Sequence, residues 1–268
     1  MSKIDGKRFG PWAVITGASS GIGREFARQI AASGIHVALV ARREPQLHEV
    51  GLECSREFGV EHRVIVADLA VEGFIARIAE ATRELDVGLV ISNAGSANPG
   101  RFLDKNSDEL AMTLRLSALA HAEMARHFGR RLVDRGRGGL AFVGAVGAEN
   151  GAPFMAHDGA AKAYVRSLAL ALHEEFKPFG VYVTAVLPGP TDTPVLARFG
   201  LDPKTMPLKP MLAGDVVREG LQALSANRAT LIPGRMNRMM RAVVPASVTR
   251  SMMMRMFANM PELANPPS

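Results

Sequence analysis

The stretch Val14-Ile15-Thr16-Gly17-Ala18-Ser19-Ser20-Gly21-Ile22-Gly23 decides the fold of this chain. It connects a short apolar β-run at 12–15 to a helical pattern over 24–32 through a glycine-rich turn. Glycine-rich turns also occur without a ligand, but a strand, such a turn and a helix in succession are typical of a phosphate-binding loop. The glycines allow the backbone to approach a pyrophosphate, and the helix N-terminus supplies unpaired N–H groups. We therefore predict a dinucleotide-binding loop that includes Gly17, Ser19, Ser20, Gly21, Ile22 and Gly23.

The end of the next β-run, at 36–40, indicates which dinucleotide binds. It leads into Ala41-Arg42-Arg43, about 20 residues beyond the loop, where a dinucleotide fold meets the adenosine ribose. An acidic residue there would bind a free 2′-hydroxyl, whereas two arginines suit a 2′-phosphate through charge-assisted hydrogen bonds. Arg42 and Arg43 therefore predict NADPH as the cofactor.

Composition and charge indicate a globular protein that does not bind nucleic acid. The 268 residues are 47% hydrophobic and 22% charged, which is ordinary for a globular chain. A net charge of +6 and a pI near 9.9 would suit nucleic acid. However, no aromatic residues interleave with the basic cluster, and we expect a solvated face and no nucleic-acid partner. That cluster is Arg126, Arg130, Arg131, Arg135 and Arg137.

Cysteine usage and hydropathy limit the location of the protein. Cys54 is the single cysteine, so an internal disulfide is impossible. No leader-like segment or membrane-length apolar run is evident, and we expect a cytoplasmic protein. Scattered His, Asp and Glu lack metal-ligand spacing, so we predict no metal.

Strand and helix patterns alternate along most of the chain. Such alternation predicts an α/β fold in three layers: a Rossmann-type, doubly wound parallel sheet forming a single domain over 1–268. Residues 1–11 read as a polar lead-in, and a helix at 215–226 precedes a short last strand at 230–233. The other strand patterns lie at 63–69, 88–92, 140–144 and 181–187, and the helix patterns at 44–58, 71–84, 107–135 and 158–176.

The segment from 236 to 260 is rich in methionine and arginine. Methionine fills irregular apolar surfaces adaptably. We expect 236–268 to form a helical cap of the same domain that packs against the domain or a partner subunit. The alternatives are a lid over an apolar substrate and a helix that contacts a membrane surface.

Several motifs together resemble the short-chain dehydrogenase/reductase superfamily, and the similarity extends from about residue 12 to residue 193 in order and spacing. They are the loop at 16–23, Asp68-Leu69, Asn93-Ala94-Gly95, Lys162, and Pro188-Gly189 followed by Thr191 and Thr193. The resemblance implies that Asn93-Ala94-Gly95 supports the central sheet. It also implies that the Pro-Gly segment and its threonine lie against the nicotinamide, and that Asp68-Leu69 meets the adenine. A homodimer or homotetramer through the helices at 107–135 and 158–176 is implied as well.

The same resemblance shows a changed catalytic set. The family uses a Tyr four residues before the Lys, a Ser about 13 residues before that Tyr, and an Asn in the preceding long helix. Here Lys162 is kept, but the Tyr position is Asp158 and the Ser position is Ala145. The Asn position falls at Ser117. The chain thus resembles an atypical member with its dinucleotide site whole and its carbonyl-reducing groups replaced.

The replacement of Tyr by Asp158 suggests a different substrate. Asp158 and Lys162 are spaced i, i+4 and can pair, which favours the carboxylate. A carboxylate would repel a forming alkoxide but stabilises a cation, and hydride transfer to an iminium needs no proton donor. We hypothesise an NADPH-dependent reductase of C=N bonds that acts on a small-molecule substrate. Its catalytic residues would be Asp158, Lys162, Ser117 and His157, and its substrate pocket Ala145, Glu149 and Asn150.

Two alternatives remain. One is an NADPH-dependent reductase of a conjugated C=C bond or a carbonyl in a lipid-like substrate, with His157 or Glu149 as a proton donor. The other is a non-catalytic NADPH-binding sensor or scaffold, because fold does not imply activity. His121 and His127, on the predicted helix at 107–135, are expected to face solvent or a partner helix.

Overall fold

The structure, a computed structural model, describes residues 4–198 and 209–258. The start of the predicted lead-in (1–3) and the end of the predicted cap (259–268, with Met260) lie outside these ranges. The strands are β1 Trp12–Thr16, β2 His36–Ala41, β3 His62–Val66, β4 Val87–Ser92, β5 Gly138–Val143, β6 Val181–Val186, β7 Thr191–Asp192, β8 Met211–Leu212 and β9 Thr230–Leu231.

The main sheet has seven strands in the order β3-β2-β1-β4-β5-β6-β9, and all neighbours are parallel. Ile15 at its centre pairs with Leu39 on one side and Ile91 on the other. The strand order changes direction between β1 and β4, so a crevice opens at their carboxyl ends. β7 and β8 form a separate parallel pair. The predicted doubly wound parallel α/β fold is confirmed.

Helices cover both faces of the sheet. They are α1 Gly6–Phe9, α2 Gly21–Ala31, α3 Glu44–Phe58, α4 Phe74–Ala81, α5 Ser107–Leu114, α6 Ala120–Arg135, α7 Ala156–Phe176, α8 Pro194–Arg198, α9 Ala213–Ser225, α10 Arg235–Val243 and α11 Ala246–Ala258. None of the described helices is long and apolar enough to cross a bilayer.

Two hydrophobic clusters hold the three layers together, because successive side chains of a strand point to opposite faces. On one face, sheet residues pack against α6 and α7 through Val14, Val40, Val90, Phe142, Met124, Phe128 and Val165. On the other face, they pack against α2, α3 and α9 through Ile15, Leu39, Leu89, Phe26, Ile30, Leu47 and Leu221.

The N-terminal segment differs from the predicted polar lead-in. It contains α1, whose Phe9 is buried in the core together with Ile4. Arg135 ties this segment to the body: its guanidinium donates to the Arg8 carbonyl at 3.0 Å and pairs with Asp86 at 2.7 Å. The apolar residues at positions 4 and 9 were the signal for this packing.

Two predicted helices differ most from the structure. Gly73, with a φ of 79°, stands at the N-cap of α4, so this helix begins at Phe74 instead of residue 71. The predicted helix at 107–135 is interrupted by a π-helical turn at Arg115–Leu119, between α5 and α6. Its start was predicted correctly, because Asn106 and Glu109 form a capping box there.

Candidate active site

The glycine-rich loop after β1 has the backbone that phosphate binding requires. Gly17 and Gly21 have φ values of 67° and 55°, a region that L-residues rarely occupy. A Cβ on Gly23 would lie 2.2 Å from the Gly17 carbonyl oxygen, so the loop can close against α2 only with glycine there. Ser20 is the N-cap of α2 and makes no side-chain cap hydrogen bond. The first N–H groups of α2 therefore fit a pyrophosphate at this end of the helix.

The two arginines after β2 take different positions. Arg43 donates from Nη2 to the hydroxyls of Ser19 at 2.9 Å and Ser20 at 2.8 Å, which brings its charge onto the loop. Arg42 Nη1 lies 3.8 Å from Asp68 Oδ2. Both side chains thus border the predicted adenosine end of the site, next to the buried Leu69.

Asn93 and Ala94 join the ends of β1 and β4. Their backbone N–H groups donate to Thr16 Oγ1 at 2.9 and 3.0 Å, and Asn93 Nδ2 donates to the Thr16 carbonyl at 3.1 Å. A Cβ on Gly17 or Gly23 would lie only 2.8 or 2.7 Å from the same Asn93 Nδ2, so both positions require glycine. This segment therefore fixes the loop at the sheet's change of direction, as its resemblance implied.

The segment after β6 closes the other side of the loop. Thr193 packs its methyl group against Gly21, where an added Cβ would lie 3.2 Å away. Thr191 donates to the Gly189 carbonyl at 2.9 Å, and Gly189 also faces Asn237 of α10. Pro188 pairs with the loop after β5, since its carbonyl accepts from Val146 N at 3.0 Å.

Asp158 is buried with 1% of its surface exposed and takes part in a chain of hydroxyl groups. Ser96 Oγ donates to Asp158 Oδ1 at 2.7 Å. Ser117 Oγ lies 3.0 Å from Ser96 Oγ and accepts from Ser96 N at 2.8 Å. Because the one proton of Ser96 is directed to Asp158, Ser117 is the donor in the bond between the two hydroxyls. Both hydroxyl protons are thus directed toward the carboxylate.

The π-helical turn at Arg115–Leu119 places Ser117 in this chain. Its hydrogen bonds join residues five positions apart instead of four, so each hydrogen-bonded turn contains one extra residue. Such turns occur frequently at functional sites. Ser117 is buried within it and reaches the segment after β4, where its Oγ accepts from Ser96 N at 2.8 Å. The predicted position of Ser117 in the site is therefore compatible with the structure.

Lys162 lies one turn beyond Asp158 on α7, and the two interact over more than a salt-bridge distance. No ion pair within 4.0 Å joins them, although both side chains belong to the described part of the chain. Burial lowers the pKa of Lys162, and the charge of Asp158 acts in the opposite direction. Asp158 therefore influences Lys162 through space while its oxygen Oδ1 is held by Ser96.

His121 is buried, which corrects the expectation that it faces solvent or a partner helix. Its Nδ1 lies 2.8 Å from Ser92 Oγ, and its ring packs 6.2 Å from that of Phe142. Burial lowers the pKa of His121 to about 4. A hydrogen bond with the Ala94 backbone acts to raise this pKa, and the charge of Lys162 acts to lower it further. The ring is thus a neutral part of the core directly below the site. His127 is half-buried.

The remaining predicted site residues make other contacts. The His157 ring nitrogen Nε2 lies 2.7 Å from the Leu110 carbonyl oxygen, and His157 is not part of the Ser96–Asp158 chain. Glu149 pairs with Arg241 at 2.9 Å and Arg166 at 3.6 Å.

Burial acts to raise the pKa of Glu149. Hydrogen bonds from its backbone and Arg241 outweigh that effect, and its pKa lies below its usual value. Glu149 is therefore poorly suited to donate a proton at neutral pH.

The predicted pocket residues Ala145 and Asn150 lie in the loop between β5 and α7. Ala145 is half-buried and carries no hydroxyl toward the site. The Asn150 carbonyl accepts from Arg250 Nη1 at 2.8 Å, so α11 contacts this loop as α10 does through Arg241. Phe154 and Phe257 add a ring contact with centroids 6.3 Å apart.

Comparison with known proteins identifies the family. The sequence profile described as short chain dehydrogenase matches residues 11–203. The chain belongs to the short-chain dehydrogenase family. It is 34% identical over 187 residues to a very-long-chain 3-oxoacyl-CoA reductase-like protein of Arabidopsis thaliana, a match covering 68% of this chain. The match spans only 60% of that relative's length.

Two solved structures share the fold of this short-chain dehydrogenase over almost its whole length. A 7β-hydroxysteroid dehydrogenase structure superposes with a TM-score of 0.85 at 25% identity, covering 93% of this chain and 99% of that one. A short-chain dehydrogenase from Sphingobium yanoikuyae in complex with NADPH superposes with a TM-score of 0.79 at 30% identity. That match covers 96% of this chain and 98% of the other.

Sequence analysis of this short-chain dehydrogenase did not identify Ser96 or the arginine contacts of Glu149. Ser96 follows directly after Asn93-Ala94-Gly95, and this position next to a motif at a strand end was the available signal. Within the described ranges, no group of three His, Cys, Asp or Glu side chains could hold a metal ion.

Proposed function

We propose that this protein is an NADPH-dependent reductase whose hydride acceptor is a cationic C=N group. The observation that carries the proposal is the buried Asp158, which replaces the family's tyrosine and is held by Ser96. The glycine loop, Arg42 and Arg43 fit NADPH, and the Sphingobium relative was solved with NADPH.

The residues around Asp158 suit a cation better than a carbonyl oxygen. Reduction of a ketone requires a group that donates a proton or hydrogen bond to the developing alkoxide. Ala145 has no such group, the hydroxyl proton of Ser96 is directed to the carboxylate, and that of Ser117 is directed to Ser96 Oγ. An iminium carries its positive charge before reduction and becomes a neutral amine when its carbon accepts hydride. It therefore requires an anion and no proton donor.

Each residue of this chain then has a physical role. NADPH would supply the hydride. The carboxylate of Asp158 attracts the substrate cation, and the low exposure of the site strengthens that attraction. Ser96 and Ser117 hold the carboxylate in one orientation. Burial lowers the pKa of Lys162 on the same helix, and the charge of Asp158 acts in the opposite direction.

The test compares a cyclic imine, its ketone analogue and a conjugated enone as substrates with NADPH. We expect turnover of the imine, and a loss of about a hundredfold or more in kcat/KM for Asp158→Asn, since a preorganised charge contributes that much to catalysis. The dissociation constant of NADPH should stay unchanged in that variant, which controls for misfolding. Turnover of the ketone but not the imine would overturn the proposal. NADPH binding without turnover of any substrate would support the non-catalytic alternative.

A second candidate is reduction of a carbonyl or conjugated C=C bond in a lipid-like substrate. The names of the relatives favour it, because one is a very-long-chain 3-oxoacyl-CoA reductase-like protein and another a 7β-hydroxysteroid dehydrogenase. The double change Ala145→Ser with Asp158→Tyr distinguishes the two. Under the iminium proposal it creates ketone reduction that the natural chain lacks, and under the second candidate the natural chain already reduces such substrates.

We also infer a homo-oligomer formed through α5, the π-helical turn and α7. These elements carry large exposed apolar side chains, namely Met112, Leu114, Leu119 and Tyr164. Light scattering should give the mass of a dimer or tetramer, and Leu119→Glu should lower it. A monomer at all concentrations would contradict the inference.

A further inference from the structure

The outward face of α10 and α11 is not used by the site. Between residues 235 and 258 the sequence has five arginines and seven methionines, and no acidic residue. A segment with this composition combines positive charge with adaptable apolar surface. The proposed reaction assigns no role to this basic and apolar feature.

The inward face of these helices is already occupied. Asn237 faces Gly189 and donates to the Pro233 carbonyl at 2.9 Å, and Arg238 pairs with Glu219 at 2.8 Å. Arg241 and Arg250 contact the loop between β5 and α7, as described above. The helices are therefore held against the body through one face, and the opposite face is available for another contact.

That outward face, here called the methionine–arginine face, is amphipathic. On α10 it contains Met236, Met239 and Val243, which are 51%, 52% and 73% exposed and follow the i, i+3, i+7 spacing of one helix stripe. On α11 it continues with Val248 and Met252, which follow an i, i+4 spacing and are also exposed. Arg235 and Arg255 are exposed at its two ends and have no acidic partner among the described residues.

The charge of this face decides between occupants. A second copy of the chain in a symmetric contact would set arginine against arginine, because the segment has no acidic residue to complement them. An anionic lipid surface complements the arginines and accepts the exposed apolar stripe without requiring a matching pocket. We propose that the methionine–arginine face of α10 and α11 docks this protein onto anionic membrane surfaces. This inference does not depend on the proposed reaction.

The experiment measures co-sedimentation of the full-length protein with vesicles of phosphatidylcholine, with and without phosphatidylglycerol. We expect binding only to the anionic vesicles, weakened by salt. Two variants test the face: Arg235→Glu with Arg255→Glu, and Met236→Ser with Met239→Ser. Each should weaken partitioning by about tenfold or more, since each charge near an anionic surface and each buried apolar group contributes to binding.

The matched control is Arg126→Glu with Arg130→Glu. These arginines are exposed on α6, and their reversal changes the net charge by the same amount as reversal of Arg235 and Arg255. The control should bind anionic vesicles nearly as well as the natural chain. Absence of binding to anionic vesicles, or an equal loss in control and test variants, would overturn the proposal. Normal vesicle binding by the methionine variant, with a lower mass in light scattering, would show instead that a second copy covers this face.

Discussion

The two halves of the site are built by different means. The dinucleotide half is formed mainly by backbone: glycines with positive φ, the open N-terminus of α2, and Asn93 and Ala94 bonded to Thr16. The substrate half is formed by side chains, with Asp158 and Ser117 joined through Ser96. Backbone geometry tolerates few substitutions, whereas a side-chain network can be exchanged residue by residue. The family's fold and cofactor loop can thus persist while the reacting groups change.

The largest effect is expected in the backbone-built half. The change Gly23→Ala places a Cβ 2.2 Å from the Gly17 carbonyl oxygen and forces the loop open. Overpacking against a backbone atom this close costs about 3 kcal/mol, the upper end of the usual range, so NADPH affinity should fall by about a hundredfold. Fluorescence titration of NADPH measures it. The control Gly6→Ala, with nothing within 4 Å of an added Cβ, should bind normally, and normal binding by Gly23→Ala would contradict the phosphate-loop assignment.

The next largest effect concerns protein stability, through the buried His121 next to the substrate half of the site. His121 has a pKa of about 4, below its usual 6.5, so the unfolded chain binds its proton first as the pH falls. Stability contributed by the neutral ring is complete above about pH 6.5 and is lost between about pH 6.5 and about pH 4, by on the order of 3 kcal/mol.

Urea unfolding across this pH range, compared between the natural chain and His121→Gln, isolates that contribution. We expect the variant to lose less stability on acidification, because glutamine does not titrate. Equal slopes in both proteins would show that His121 is not held neutral.

A smaller effect is expected at the adenosine end of the cofactor half. Arg42→Ala with Arg43→Ala removes charge-assisted hydrogen bonding to the 2′-phosphate worth about 2 kcal/mol in total, so NADPH should bind roughly thirtyfold more weakly. NADH, which lacks the 2′-phosphate, should be affected much less. Arg56→Ala with Arg77→Ala, two exposed arginines of α3 and α4, controls for the change in net charge. Equal losses for both cofactors would refute the phosphate assignment.

The smallest effect is expected at Ser96, a positioning residue in the side-chain half. Removal of its hydroxyl in Ser96→Ala frees Asp158 Oδ1 and should lower kcat by about tenfold, the value of one hydrogen bond to a charged group. The NADPH dissociation constant and the KM for an imine should change little. Ser96→Thr restores the hydroxyl and should recover most of kcat. A loss of cofactor binding in Ser96→Ala would show that the two halves are not separable.

The same difference explains what the sequence could predict. Local periodicity and turn residues predict the order of strands and helices, the limits of α3 at 44–58 and the glycine loop. These signals involve residues that are close together in the sequence. The contact between Ser96 and Asp158 joins residues 62 positions apart, and the one between Arg241 and Glu149 spans 92. No local pattern encodes such distant contacts. His121 was misplaced for a related reason, since its buried partner Ser92 lies at the end of β4, 29 positions earlier in the chain.

The π-helical turn at Arg115–Leu119 has a consequence for insertions and deletions. A π turn is equivalent to one extra residue in an α-helix, and one residue corresponds to a rotation of about 100° around the helix axis. Deleting a single residue within 115–119 would give a more regular helix from α5 to α6. It would also rotate the preceding turns relative to His121 and turn Ser117 away from Ser96. A deletion that makes this helix more regular would therefore disrupt the site.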